Sequence, residues 1–358
     1  MNFKRTLIIK PSSMGDIVQA LPVLTALKET HPAARVSWLV SKPFAGLLEG
    51  HPRLAEVIPF DRKRYARVGT SLSALIDFAR FLHGLRRRRF TAVLDLQGLF
   101  RSGLCALACG APSRVGFATA RELAPLFYTA EVGVAHDELH AVDRYLTLAR
   151  QVGLKPPRAA DHLPVSPEAR ADARDRLASL GLEPQWPYLV VCAYARWETK
   201  QWPADRFARV IDRLARDTGA RAVIVGSADA GPSAQAIARA AQEPPIDLAG
   251  RTTLKELVAV IAEGRVMATN DSGPMHIAAA VGTPVVAIFG PTNPRRTGPY
   301  GKGHRVLAGR AACSPCYRRR CLLGGTDAIR CMRNIGPDEV ADLVLDAWRD
   351  ADNPNASG

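Results

Sequence analysis

The feature that most constrains this chain is a repeated alternation. A short, continuously apolar run is followed by a loop of small and polar residues and then by a stretch with helical apolar spacing. Continuous apolar runs suit strands buried on both faces, and strands separated by helices pair in parallel beneath helical cover. In the first half, Leu7–Ile9, Val36–Val40, Val57–Pro59 and Ala92–Asp95 read as strands. The loop Lys10-Pro11-Ser12-Ser13-Met14-Gly15-Asp16 leads from the first strand into a helix reaching about Lys28. Pro22 is expected to start a new turn or kink that helix, because proline lacks the amide donor. His136–Val152 reads as a helix with Leu139, Val142, Leu146 and Ala149 along one face.

Lys155-Pro156-Pro157-Arg158 opens a connecting stretch that runs to about Asp161, and Leu163–Val165 reads as one last strand. Ser166-Pro167 then has the order of an N-cap followed by a first-turn proline, and Gly181 closes the helix. The second half repeats the pattern. Tyr188–Ala193, Ala222–Val225, Val266–Ala268 and Val285–Phe289 read as strands. Pro203–Asp217 is helical, and Thr253 and Glu256 have capping-box spacing ahead of another helix. Pro337–Trp348 is a final helix, with Asp352–Gly358 expected to be disordered. The expected organisation is a domain over 1–165, a second over 166–336 and a helix with tail over 337–358. Two such α/β units would bind ligand in a crevice between them, at the carboxyl ends of the strands.

No run of about 18 apolar residues appears, so no spanning helix is expected. The N-terminus enters an apolar run without a small-residue cleavage site, which predicts a cytoplasmic chain with no secretory signal. The chain carries 48 Lys+Arg against 34 Asp+Glu, a formal net charge of +14. This excess favours polyanionic partners: nucleic acid, an anionic membrane surface or a phosphorylated substrate. A nucleic-acid-binding protein with a cysteine metal site is the alternative from another class. It leaves the strand-end loops unexplained and shows no recognition-helix or RNP pattern. A dehydrogenase is disfavoured by the missing glycine fingerprint.

Three strand-end loops carry groups suited to chemistry. Asp16 opens a helix, where it reads either as a cap or as a carboxylate able to take a proton from a hydroxyl. Asn270-Asp271-Ser272-Gly273 ends a strand, and the helix behind it offers amides to a phosphate. His276 lies a turn inside that helix, facing crevice or core. Lys200, just ahead of Pro203, reads either as a solvated charge or as a cation for a diphosphate. Farther on, Cys313, Cys316, Cys321 and Cys331 give C-x2-C-x4-C-x9-C. The first pair is a reasonable metal knuckle, but the second lacks zinc-ribbon spacing. Structural metal, reduced thiols and disulfides stay open. Tyr317-Arg318-Arg319-Arg320, within this segment, suits an acceptor or membrane contact.

Together these pieces resemble glycosyltransferase family 9, the ADP-heptose:lipopolysaccharide heptosyltransferases. The matching segments are Ile8–Asp16, Asp95–Leu99, Thr119–Glu122 with Leu126–Tyr128, Lys200–Pro203, Asn270–Ala280 and Phe289–Thr292, in the family's order. The resemblance implies a GT-B fold: two Rossmann-like domains whose parallel sheets face a central cleft, with the acceptor on the first and ADP-heptose on the second. It implies an inverting reaction with Asp16 as the general base and no metal or other cofactor required. Lys200, Asp271, Ser272, Gly273 and His276 would hold the donor, and Ser13 and Arg121 would lie on the acceptor side. Ser-Ser-Met-Gly-Asp and Thr-Ala-Arg-Glu look more like heptosyltransferase I, which acts on Kdo, than heptosyltransferase II or another family transferase. The partners implied are Kdo-lipid A or inner-core lipopolysaccharide and the anionic inner face of the inner membrane. No nucleic acid is expected.

Overall fold

The computed structural model describes residues 1–134, 139–158 and 163–351, and the chain divides into two compact units, Met1–Pro164 and Val165–Gly358. The first unit holds β1 (Arg5–Ile9), β2 (Arg35–Ser41), β3 (Glu56–Phe60), β4 (Ala92–Asp95), β5 (Ser113–Phe117) and β6 (Ala130–Val132). They form one parallel sheet in the order β3-β2-β1-β4-β5-β6. The second unit holds β7 (Tyr188–Cys192), β8 (Arg221–Ile224), β9 (Ile246–Asp247), β10 (Val266–Asn270), β11 (Val285–Phe289) and β12 (Arg305–Ala308). Its order, β12-β11-β10-β7-β8-β9, is the same topology counted from its own first strand, and again every pairing is parallel. In each sheet the direction of winding reverses beside the first strand, between β1 and β4 and between β7 and β10. Loops leaving the two strands diverge there and leave room for a ligand.

Burial explains the apolar runs. Leu7, Ile8 and Ile9 of β1 and Val285–Phe289 of β11 are fully enclosed, as strands covered on both faces must be. The helix Met14–Thr30 runs without interruption through Pro22, contrary to the expected new turn. Ile17, Leu21, Leu24 and Leu27 are all enclosed along it. At about 1.5–3 kcal/mol for each such side chain, their burial outweighs the roughly 3 kcal/mol cost of an internal proline. Leu163–Val165 forms no strand. Pro164 sits at its centre and cannot donate to a ladder, while Leu163 is buried. The helix Ala141–Gln151 stands within the predicted stretch, whose first residues, His136–Glu138, lie outside the described residues. So do the end of the linker at Asp161 and the tail Asp352–Gly358. The final helix, Pro337–Asp350, lays Val344, Leu345 and Trp348 into one core with Phe207, Val210 and Leu214. Among the described residues no helix is long and apolar enough to cross a membrane.

Candidate active site

At the reversal point of the first unit, β1 and β4 end level, with Ile9 opposite Asp95. Ser13 is the N-cap of the following helix, and Asp16 is its third residue. The Ser13 amide donates to Asp16 Oδ2 at 2.8 Å and the Ser13 hydroxyl donates to the same oxygen at 2.5 Å. Asp16 therefore closes the helix start, and the two bonds anchor its Oδ2 at the N-cap.

Beneath it, Lys10 is a buried charge, 5% exposed. Its ammonium donates to the Leu96 carbonyl at 3.3 Å and lies 5.3 Å from the centre of the Tyr145 ring. Burial works to lower its pKa, but Tyr145, Asp16 and Asp95 outweigh that and hold it above the ordinary lysine value. Asp95 is wholly enclosed and accepts from the amides of Gln97 at 2.9 Å and Gly98 at 3.2 Å, and from the Tyr128 hydroxyl at 2.7 Å. Burial raises its pKa, and the bonds from Tyr128, Ser102, Gln97 and Gly98 act in opposition. Beside this floor opens a hollow of about 240 Å³ whose lining includes Ser12, Arg62, Gln97, Arg101 and Glu122. Arg121 is exposed, and its backbone N–H donates to Gly98 O at 2.9 Å.

The second unit gathers its groups where β7 and β10 end. Lys200 Nζ stands 2.5 Å from Asp271 Oδ2, with side chains 16% and 6% exposed. The Thr292 hydroxyl donates to that same oxygen at 2.6 Å, so Asp271 joins the loops after β7, β10 and β11. Asn270 locks the first two of these together. Its Nδ2 donates to the Ala193 carbonyl at 2.5 Å, and its Oδ1 accepts from the Trp202 amide at 3.2 Å. The Lys200 ammonium also lies 4.6 Å from the centre of the Trp197 ring. Ser272 is the N-cap residue of the helix Gly273–Val281, whose first turn contains no acidic residue; Pro274 brings no amide there, and the Met275 amide donates to the Ser272 carbonyl at 3.2 Å. His276 is 8% exposed, enclosed one turn into that helix.

The structure thus brings Lys200, Asp271, Ser272 and Gly273 into one strand-end cluster, encloses His276 behind them, and joins Ser13 to Asp16 in the other unit. Lys10, Asp95, Tyr128, Trp197, Asn270 and Thr292 complete these clusters; the sequence reading passed through their loops but gave none of them an individual role. A lysine directly after a fully apolar run was the available signal for Lys10. The cysteines are all free thiols: Cys331 is buried against Gly290, whereas Cys313 is exposed. Among the described residues no three His, Cys, Asp or Glu side chains are gathered so as to hold a metal ion.

The profile of glycosyltransferase family 9 (heptosyltransferase) matches residues 78–326. Lipopolysaccharide heptosyltransferase 1 of Pseudomonas aeruginosa is 31% identical over 356 residues, covering 94% of this chain and 96% of its own. The solved E. coli heptosyltransferase WaaC with ADP superposes with a TM-score of 0.77 at 26% identity, covering 96% of this chain and 99% of its own. E. coli ADP-heptose lps heptosyltransferase II gives 0.78 at 25%, covering 97% and 99%. These neighbours share the GT-B class of two Rossmann-like α/β units seen here. The chain is a glycosyltransferase and belongs to glycosyltransferase family 9, the heptosyltransferases.

Proposed function

We propose that this enzyme moves a heptose from ADP-L-glycero-D-manno-heptose to the Kdo region of lipopolysaccharide, in the manner of a heptosyltransferase I. The observation that carries the reading is the strand-end cluster of the second unit: a lysine, an enclosed aspartate and a helix start without an acidic residue in its first turn. It has the composition needed to hold a sugar nucleotide by its diphosphate and its sugar. Support comes from relatives named lipopolysaccharide heptosyltransferase 1 and from WaaC, solved with ADP and with ADP-2-deoxy-2-fluoro heptose.

In this reading the acceptor hydroxyl attacks the anomeric carbon from the face opposite the nucleotide. Its proton passes to Asp16 as the new carbon–oxygen bond forms. The bond to ADP breaks, and the configuration inverts. Removing the proton in the transition state is worth about 10² to 10⁴ in rate, provided the base is held in place. The Ser13 bonds supply that hold. Negative charge accumulates on ADP as it leaves, and Lys200 with the Gly273 amide at the helix start stabilises it. Asp271 orients Lys200 and meets the sugar, with His276 supporting the helix start. Ser13 and Arg121 serve the acceptor side. No cofactor is required, and no metal takes part in the chemistry.

The acceptor sits in the inner leaflet of the inner membrane, and we place the enzyme on its cytoplasmic face as a peripheral protein. The formal net charge of +14 supports this, as do Leu72, Leu75 and Ile76, exposed at the start of the helix Leu72–Arg87 that ends in Arg86 and Arg87. The direct test incubates the purified enzyme with ADP-heptose and either Kdo-lipid A or an acceptor already ending in heptose. Gain of one heptose on the Kdo acceptor supports the reading. Transfer confined to the heptose-ended acceptor would replace it with a heptosyltransferase II activity.

A further inference from the structure

The cysteine-bearing segment is built into the same cluster, and its contacts are specific. The Tyr317 amide donates to the Pro291 carbonyl at 2.8 Å, and the Ser314 hydroxyl donates to the Gly290 carbonyl. The Thr199 hydroxyl donates to the Arg318 carbonyl at 2.6 Å, across 119 residues of sequence. Thr199 precedes Lys200, and Pro291 precedes Thr292. The segment is therefore fastened to the two loops that supply the partners of Asp271.

These fastenings bring Arg319 to Trp197. Its guanidinium lies 5.5 Å from the centre of the indole ring, against which the Lys200 ammonium lies at 4.6 Å. Two cations thus share one aromatic side chain, and their electrical situations differ. Lys200 is paired with Asp271 at 2.5 Å in a nearly enclosed setting, so most of its charge is answered within the protein. Arg319 is exposed and has no carboxylate partner among the described residues. A departing nucleoside diphosphate carries at least one negative charge per phosphate, more than the neutral Lys200–Asp271 pair can balance. A guanidinium fork held beside that pair is suited to the missing role, because it bonds phosphate oxygens in pairs and stays charged at every working pH.

We propose that Arg319 is a binding residue for the diphosphate of the nucleotide donor, with Trp197 as the shelf that aligns it beside Lys200. This inference rests on the donor-site reading given above and extends it to a segment that the strand-end loops do not include. The 313–331 segment thereby acquires a role in binding, since it carries a second cation to the nucleotide.

The test measures ADP affinity by calorimetry in the full-length wild type, Arg319→Ala and Arg319→Lys, together with the melting midpoint of each free protein. Loss of one charged contact to phosphate should weaken ADP binding about 10- to 100-fold in Arg319→Ala. The melting midpoint should stay unchanged, since the residue is exposed, and Arg319→Lys should recover part of the affinity. ADP affinity within roughly twofold of wild type in Arg319→Ala would overturn the inference. So would a weakening that appears only with a lowered melting midpoint, which marks a structural role. If the wild type itself fails to bind ADP, the donor-site reading falls, and this inference falls with it.

Discussion

Lys200 and Asp271, 71 residues apart in sequence, meet at 2.5 Å in an ion pair that solvent barely reaches. Removing one member of such a pair leaves the other charged and enclosed, which costs about 3–5 kcal/mol. Lys200→Met is expected to lower unfolding free energy by that order in a urea titration. Adding Asp271→Asn to Lys200→Met should recover much of the loss, because the stranded charge is gone. Heptose transfer should stay abolished in both. Equal stability of wild type and Lys200→Met would show that the pair is not held as described.

His51 supplies a pH dependence. It is 5% exposed, and its Nδ1 accepts from the Arg53 amide at 3.1 Å, an arrangement that needs a neutral ring. Burial first, and the charge of Arg53 second, push its pKa down from 6.5 to about 4. Between those values the unfolded chain binds a proton that the folded chain refuses. The contribution to stability is complete above about pH 6.5 and is lost as pH falls toward 4, amounting to about 3 kcal/mol in all. Urea denaturation across this range should show the fall. It should be shallower in His51→Asn, whose side-chain oxygen can still accept from Arg53; an unchanged slope would assign the acid sensitivity elsewhere.

Gly116 on β5 makes room for the ring of Tyr128. A Cβ placed there would overlap the Tyr128 ring, which in turn holds Asp95 through its hydroxyl. Gly116→Ala should therefore destabilise the first unit by about 1–3 kcal/mol, the usual cost of overpacking. Tyr128→Phe keeps the packing and removes one bond, so it should cost less, about 1–2 kcal/mol. The two variants compared by thermal unfolding separate the steric from the polar contribution. The opposite ranking would contradict this arrangement.

Ser13 tests the link between helix capping and catalysis. Ser13→Ala deletes the hydroxyl bond to Asp16 but keeps the amide bond. A less firmly held base should lower kcat roughly 10-fold with ADP affinity unchanged. Unaltered kcat would reduce the hydroxyl to a cap alone.

The sequence conveyed the strands that are continuously apolar, since burial on both faces leaves no polar residue to blur them. It did not convey β5, β6, β9 and β12; β5 opens with Ser113 and Arg114, which break the apolar run. β9 is only two residues long, and in β12 exposed residues alternate with partly exposed ones, as at a sheet edge. Pro22 misled because a local rule was overruled by Leu21 and Leu24 packing on either side of it. Leu163–Val165 misled because one buried leucine resembles a strand until the proline beside it is counted. In the site, Ser13 and Asp16 were legible together, being three residues apart. The partnership of Lys200, Asp271 and Thr292 was not, because three strands must align before those loops meet. The placement of Arg319 beside Trp197 depends on the same alignment and lay equally out of reach.

The most direct measurement is single-turnover transfer by Asp16→Asn, with ADP-heptose and Kdo-lipid A at saturation and ADP affinity measured alongside. Asparagine keeps the shape and can still accept from Ser13, but it is far too weak a base for an acceptor hydroxyl. The expected result is a rate reduced about 10²- to 10⁴-fold with ADP affinity unchanged. Transfer at the wild-type rate would contradict Asp16 as the base.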